Sequence, residues 1–147
     1  MTVSCALFFG CAAKEDIESL RAKQAIINTQ KARLSLEDNS TLLITATYLN
    51  KIKRYSQSEF DMIALSFYYS KEGDVEQLGE PNVKVGQKSA NVTKLSEDDE
   101  IVGQLPIRSA WSNYFLVSAP KSDDEHINLT VEIYPFERVV LRFPKAL

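Results

Sequence analysis

Cysteine is nearly missing from this 147-residue chain: Cys5 and Cys11 are the only two, and none follows them. A domain built from the rest can hold no internal disulfide, so its core alone must keep it folded. Histidine is scarcer, with His126 alone, which leaves little for zinc or for a histidine-dependent triad. No Gly-x-Ser-x-Gly turn occurs, so the usual hydrolase elbow is absent. No run reaches about 18 apolar residues, and therefore no segment reads as a membrane-spanning helix. There is no basic block either; at a net charge of -3, nothing marks a nucleic-acid surface, and no nucleic-acid partner is expected. What remains is the composition of a globular domain, 44% hydrophobic and 25% charged. From Lys14 to Leu147 the chain has length for one sizeable core.

The N-terminus carries the most distinctive segment. Leu7-Phe8-Phe9-Gly10-Cys11 is an apolar run that stops at Gly-Cys and turns charged at Lys14-Glu15-Asp16. It resembles the bacterial lipobox, in which a small residue precedes a cysteine that is lipidated and becomes the mature N-terminus. The resemblance implies that residues 1–11 are the remnant of a lipoprotein signal peptide and that Cys11 is the lipidation site. It also implies an anchor on the periplasmic or outer-surface face of a bacterial membrane. Phe8 and Phe9 stand where that family favours Leu and a small residue. The ten residues before Cys11 hold no Lys or Arg, so a basic n-region would lie upstream. Residues 12–30 read as a tether. Ile17, Leu20, Gln24, Ile27, Lys31 and Leu34 recur at spacings of three and four, but two of the six are polar, so a short helix and a flexible spacer both fit.

From Lys31 the period changes to two, and residues 31–147 read as one β domain. Ala32, Leu34 and Leu36 alternate with polar residues, Glu37-Asp38-Asn39-Ser40 supplies turn chemistry, and Leu42, Ile44, Ala46 and Tyr48 share the next face. Residues 59–70 place Ile63, Leu65, Phe67 and Tyr69 on one side with Phe60 and Met62 on the other, which predicts a central strand. Asn82 to Val85 is expected at a sheet edge, guarded by Pro81 and Lys84. Further strands are read at 89–95, at 111–118 and over Ile127 to Ile133. A last one carries Val139, Leu141 and Phe143, and Trp111 is expected to fill core. Seven or eight short strands, with turn signals about every ten residues and connections too short for helical crossovers, predict an all-β fold. The architecture resembles an immunoglobulin-like antiparallel β-sandwich without a disulfide, over about Lys31 to Phe143. That resemblance carries no functional residues with it.

Candidate sites are few. Glu37-Asp38-Asn39-Ser40-Thr41 resembles the extended acceptor of bacterial N-glycosylation and makes Asn39 a candidate modification site; an Asn-containing turn is the plainer account. The basic loop Lys51, Lys53, Arg54 and Tyr55 is the candidate binding surface, for anionic headgroups or an acidic partner. His126, beside Asp123, Asp124 and Glu125, reads as an exposed residue at the start of a strand. The acidic turns 97–100 and 123–125 lack the Gly and the ligand spacing of a calcium loop, so no metal or other cofactor is called for. These observations point to a non-catalytic, lipid-anchored binding module whose partner is an envelope protein, a glycan or a host surface. A small periplasmic hydrolase or metal-dependent enzyme is the second reading. Homo-oligomerisation through an edge strand, as a structural envelope protein, is the third.

Overall fold

A computed structural model describes residues 26–37, 39–70, 78–106, 109 and 111–145. Cys11, the expected signal remnant (residues 1–11) and most of the expected tether (residues 12–30) lie outside the described residues. Among the described residues nine strands follow in order: β1 (Thr29–Ser35), β2 (Thr41–Tyr48), β3 (Phe60–Tyr69), β4 (Asn82–Val85), β5 (Lys88–Ser89), β6 (Asn91–Leu95), β7 (Asn113–Pro120), β8 (His126–Glu132) and β9 (Val139–Pro144). They form two antiparallel sheets, ordered β1-β2-β3-β7-β6 and β5-β4-β8-β9. The fold is an all-β sandwich. Eight of the strands have four or more residues and β5 has two. β1 starts at Thr29, slightly earlier than the change of period suggests.

Alternation builds the core. Leu42, Ile44, Ala46 and Tyr48 from β2 and Ile63, Leu65 and Phe67 from β3 face Leu129, Val131, Leu141 and Phe143 across the gap between the sheets, all of them buried. Removing each such large side chain from water stabilises the fold by roughly 1.5–3 kcal/mol. β3 is central, as its two apolar faces require, and its outer face meets a second, smaller cluster. There Ala64, Met62, Tyr114 and Leu116 are covered by Leu49, Ile52 and Tyr55 from two 3-10 turns and by Val102 from a one-turn helix, α1 (Glu100–Gly103). Asn50 pins the first of these segments: its Nδ2 donates to the Phe60 carbonyl at 2.8 Å and its Oδ1 accepts from Met62 N–H at 2.7 Å. Asp99 caps α1 by accepting from Ile101 N–H at 2.9 Å.

Two expectations are corrected. β4 is not an edge strand, because the turn at Gly86 (φ 63°) folds Lys88–Ser89 back along it. The chain then passes through Ala90 into β6 of the other sheet and closes that side of the sandwich. Trp111 does not fill the core; it is 76% exposed. It sits in a turn two residues before β7, so the alternation that would aim it inward has not begun. The aromatic filling there is Phe115 edge-to-face on Phe67, with centroids 5.7 Å apart.

The two ends of the sandwich differ. Tyr69 packs edge-to-face on Phe136 in the β8–β9 turn at one end, at 5.9 Å. At the other end lie the β4–β5 turn, the β7–β8 loop, the start of β3 and the end of β9.

Leu65→Ala is expected to cost roughly 2–5 kcal/mol, which in a chain of this size lowers the thermal midpoint by well over 4 °C. Trp111→Ala should move it by less than about 2 °C, as surface changes do. Calorimetry checks both.

Candidate functional site

The inter-sheet core does not end apolar at the β7–β8 end. Asp61 occupies the same inward face of β3 as Ile63, Leu65 and Phe67, and it is only 1% exposed. A carboxylate there needs partners. Tyr48 supplies one, its hydroxyl donating to Oδ1 at 3.0 Å. Lys145 supplies the other: just past β9 and in phase with Leu141 and Phe143, its Nζ stands 3.2 Å from Oδ2. The contact is an ion pair and not a hydrogen bond, so Oδ2 is compensated in charge alone. The Tyr48 hydroxyl is pushed well above its ordinary value of 10.0, first by burial and then by the neighbouring Asp61 charge.

Lys145 is a hub. Its ammonium also donates to the Ser122 carbonyl at 2.5 Å and meets Ser122 Oγ at 3.0 Å, its backbone N–H bonds the Glu125 carbonyl at 2.9 Å, and its own carbonyl accepts from Lys51 Nζ. The loop between β7 and β8 is thereby tied to the buried ion pair at both ends.

On the other side of Ser122 lies a cleft of about 430 Å³. Its apolar floor is Val85 and Pro120 over the buried Ala119 and Ile127, and its polar rim comes from Gln87 and Lys88 on the β4–β5 hairpin and from Ser122, Asp124, His126 and Asn128 around the β7–β8 loop. Ala119 pairs across the ladder with Asp61, so the cleft and the buried pair share one wall. The size is that of a small-molecule site. His126 is the first residue of β8 and half-buried in this cleft, so it is a lining residue and not simply an exposed one. Among the described residues, no hydrogen bond joins His126, Ser122 and Asp124 to one another, and no group of three or more metal-ligating side chains occurs.

Three residues of the basic loop have partners within the chain. Lys51 bonds the Lys145 carbonyl, Arg54 pairs with Glu100 on α1 at 2.6 Å, and Tyr55 packs in the outer cluster, where burial raises its hydroxyl pKa. These residues do not converge on the cleft. Asn39 is exposed in the β1–β2 turn with φ 67°, a left-handed conformation that Asn tolerates well. The turn therefore has its own reason for an Asn, independent of any modification. Cys11 lies outside the described residues. Sequence reading did not find Asp61, Lys145, Lys88 or Ser122. For the first two a signal exists, a carboxylate and an ammonium each in phase with an apolar face.

No protein-family model, curated protein or solved structure matches the chain.

Two outcomes follow from the ion pair. A double-mutant cycle of Asp61→Ala and Lys145→Met, read by urea unfolding, is expected to give a coupling of at least about 1 kcal/mol, because either change alone leaves an uncompensated charge. Tyr48 keeps its proton to higher pH in the folded chain than in the unfolded one, so its contribution is complete below pH 10 and is lost as pH rises beyond it. Unfolding free energy should fall between about pH 10 and 11 by up to about 1 kcal/mol from this residue, and Tyr48→Phe should remove that part of the fall.

Proposed function

We propose that the chain is a lipid-anchored binding module of a bacterial envelope, tethered through Cys11 and acting without chemistry of its own. The observation that carries the binding part is the cleft beside Ser122: a concave site with an apolar floor and a rim of polar side chains of both charges. Its walls are a hairpin and a loop set on a rigid two-sheet core, the arrangement by which scaffolds present recognition groups. The anchor part rests on the Gly10-Cys11 junction after an apolar run. The site would serve at the periplasmic or outer-surface face of the membrane, with an envelope protein, glycan or host surface supplying the ligand.

A hydrolytic second reading draws on the same cleft, which collects Ser122, Asp124 and His126. It requires His126 to couple to both neighbours, and the geometry offers no such hydrogen bonds.

Cys11→Ala is expected to move the protein from the detergent phase to the aqueous phase in native cells; unchanged partitioning would rule out the anchor. A photo-reactive residue in place of Gln87 should cross-link the ligand equally in the wild-type background and with His126→Ala. Turnover of that ligand abolished by His126→Ala would instead establish the hydrolytic reading.

A further inference from the structure

We infer that the cleft takes a zwitterionic ligand, a free amino acid or short peptide with an apolar side chain, whose carboxylate meets Lys88 and whose ammonium meets Asp124. This rests on the binding-module reading and assigns the ligand class.

The charges decide the class. Lys88 and Asp124 line one cleft yet come from different walls, Lys88 from the strand after the Gly86 turn and Asp124 from the loop between β7 and β8. Neither makes a salt bridge among the described residues, although other exposed charges of the chain do, Arg54 with Glu100 and Arg138 with Glu132. Two opposite charges that share a cavity and leave each other unpaired suit a ligand that carries both signs. A simple anion would meet Asp124 as a repulsive neighbour, and a simple cation would meet Lys88.

The neutral parts agree. Half-buried Val85 and exposed Pro120 give the cleft an apolar surface for a side chain, backed by the buried Ala119 and Ile127. Gln87, Ser122, His126 and Asn128 stand around the rim, offering amide and hydroxyl groups to the ligand's own amide or carboxylate oxygens. Lys145 already holds Ser122 through its carbonyl and Oγ, so that side of the cleft is set before a ligand arrives.

The test is an amide-shift NMR titration of the full chain with leucine, Leu-Leu dipeptide, N-acetyl-leucine and leucine amide. Leucine or the dipeptide should bind with shifts at Lys88, Asp124 and Ile127, and each singly charged form should bind at least tenfold more weakly. Stronger binding by the dipeptide than by leucine would identify a peptide source, and the reverse a free amino acid. Lys88→Gln should weaken the zwitterion at least tenfold without weakening leucine amide, which loses a repulsive neighbour. Asp124→Asn should weaken the zwitterion without weakening N-acetyl-leucine, which is freed of a repulsive neighbour. Both residues are exposed, so circular dichroism should show folded variants. Equal affinity for charged and blocked forms, or no shift from any of the four at millimolar concentration, overturns the assignment. If the Gln87 cross-link to a native ligand persists in that case, the ligand class fails and the binding module stands.

Discussion

A carboxylate stands where the core should end in a hydrocarbon, and the cleft end of this molecule is arranged around it. Asp61 is buried on the inner face of the central strand, and burying an uncompensated charge would cost several kcal/mol. Tyr48 and Lys145 supply the compensation, one by a hydrogen bond and the other by its charge. The consequences then spread outward. Lys145 must stay inward beyond the end of β9, which holds the last described residues against the sandwich. Its remaining donors take Ser122, which shapes the β7–β8 loop, and its carbonyl draws in Lys51 from the turn after β2. One buried charge thus connects β2, β3, β9 and the wall of the cleft.

The rest of the scaffold makes such a device affordable in stability terms. Sixteen buried side chains from the two inner faces form one continuous apolar cluster, and a second cluster under the 3-10 turns and α1 braces the outer face of β3. With no cysteine available after Cys11, these clusters do the work that a disulfide does in many small exported domains. The sheet edges are managed separately. β5 and β6 are one run of chain that changes sheet at Ala90, leaving no long flat edge on that side, while β1 presents Lys31 and Arg33 to solvent.

Strands with clean alternation were legible in the residues because burial on one face leaves a period of two. Residues 41–48, 60–69, 126–132 and 139–144 fall where that pattern places them, and Ile63, Leu65, Phe67, Leu129, Val131 and Ile133 are core as the alternation implies. Trp111 misled because a large aromatic near a strand looks like filling, whereas only the register, beginning at Asn113, decides its direction. The cleft was not legible for a different reason. Lys88, Ser122, Asp124 and His126 are ordinary loop and edge residues in sequence and become a site only when the β4–β5 turn and the β7–β8 loop meet at one end of the sandwich. The charges of the basic loop are contiguous in sequence, but the groups they touch are not. In space, the partners of Lys51 and Arg54 lie 94 and 46 residues away, and no local pattern announces them.

The most direct test of this account is whether the buried ion pair sets the cleft. Amide chemical shifts of the full chain should be compared between wild type and Lys145→Met under conditions where both are folded. Displacement of Ser122, Asp124, His126 and the facing Gly86 to Lys88, with Leu42 to Ala46 unmoved, is the predicted result. Changes confined to residues 143–145, with the cleft amides unaltered, would contradict it.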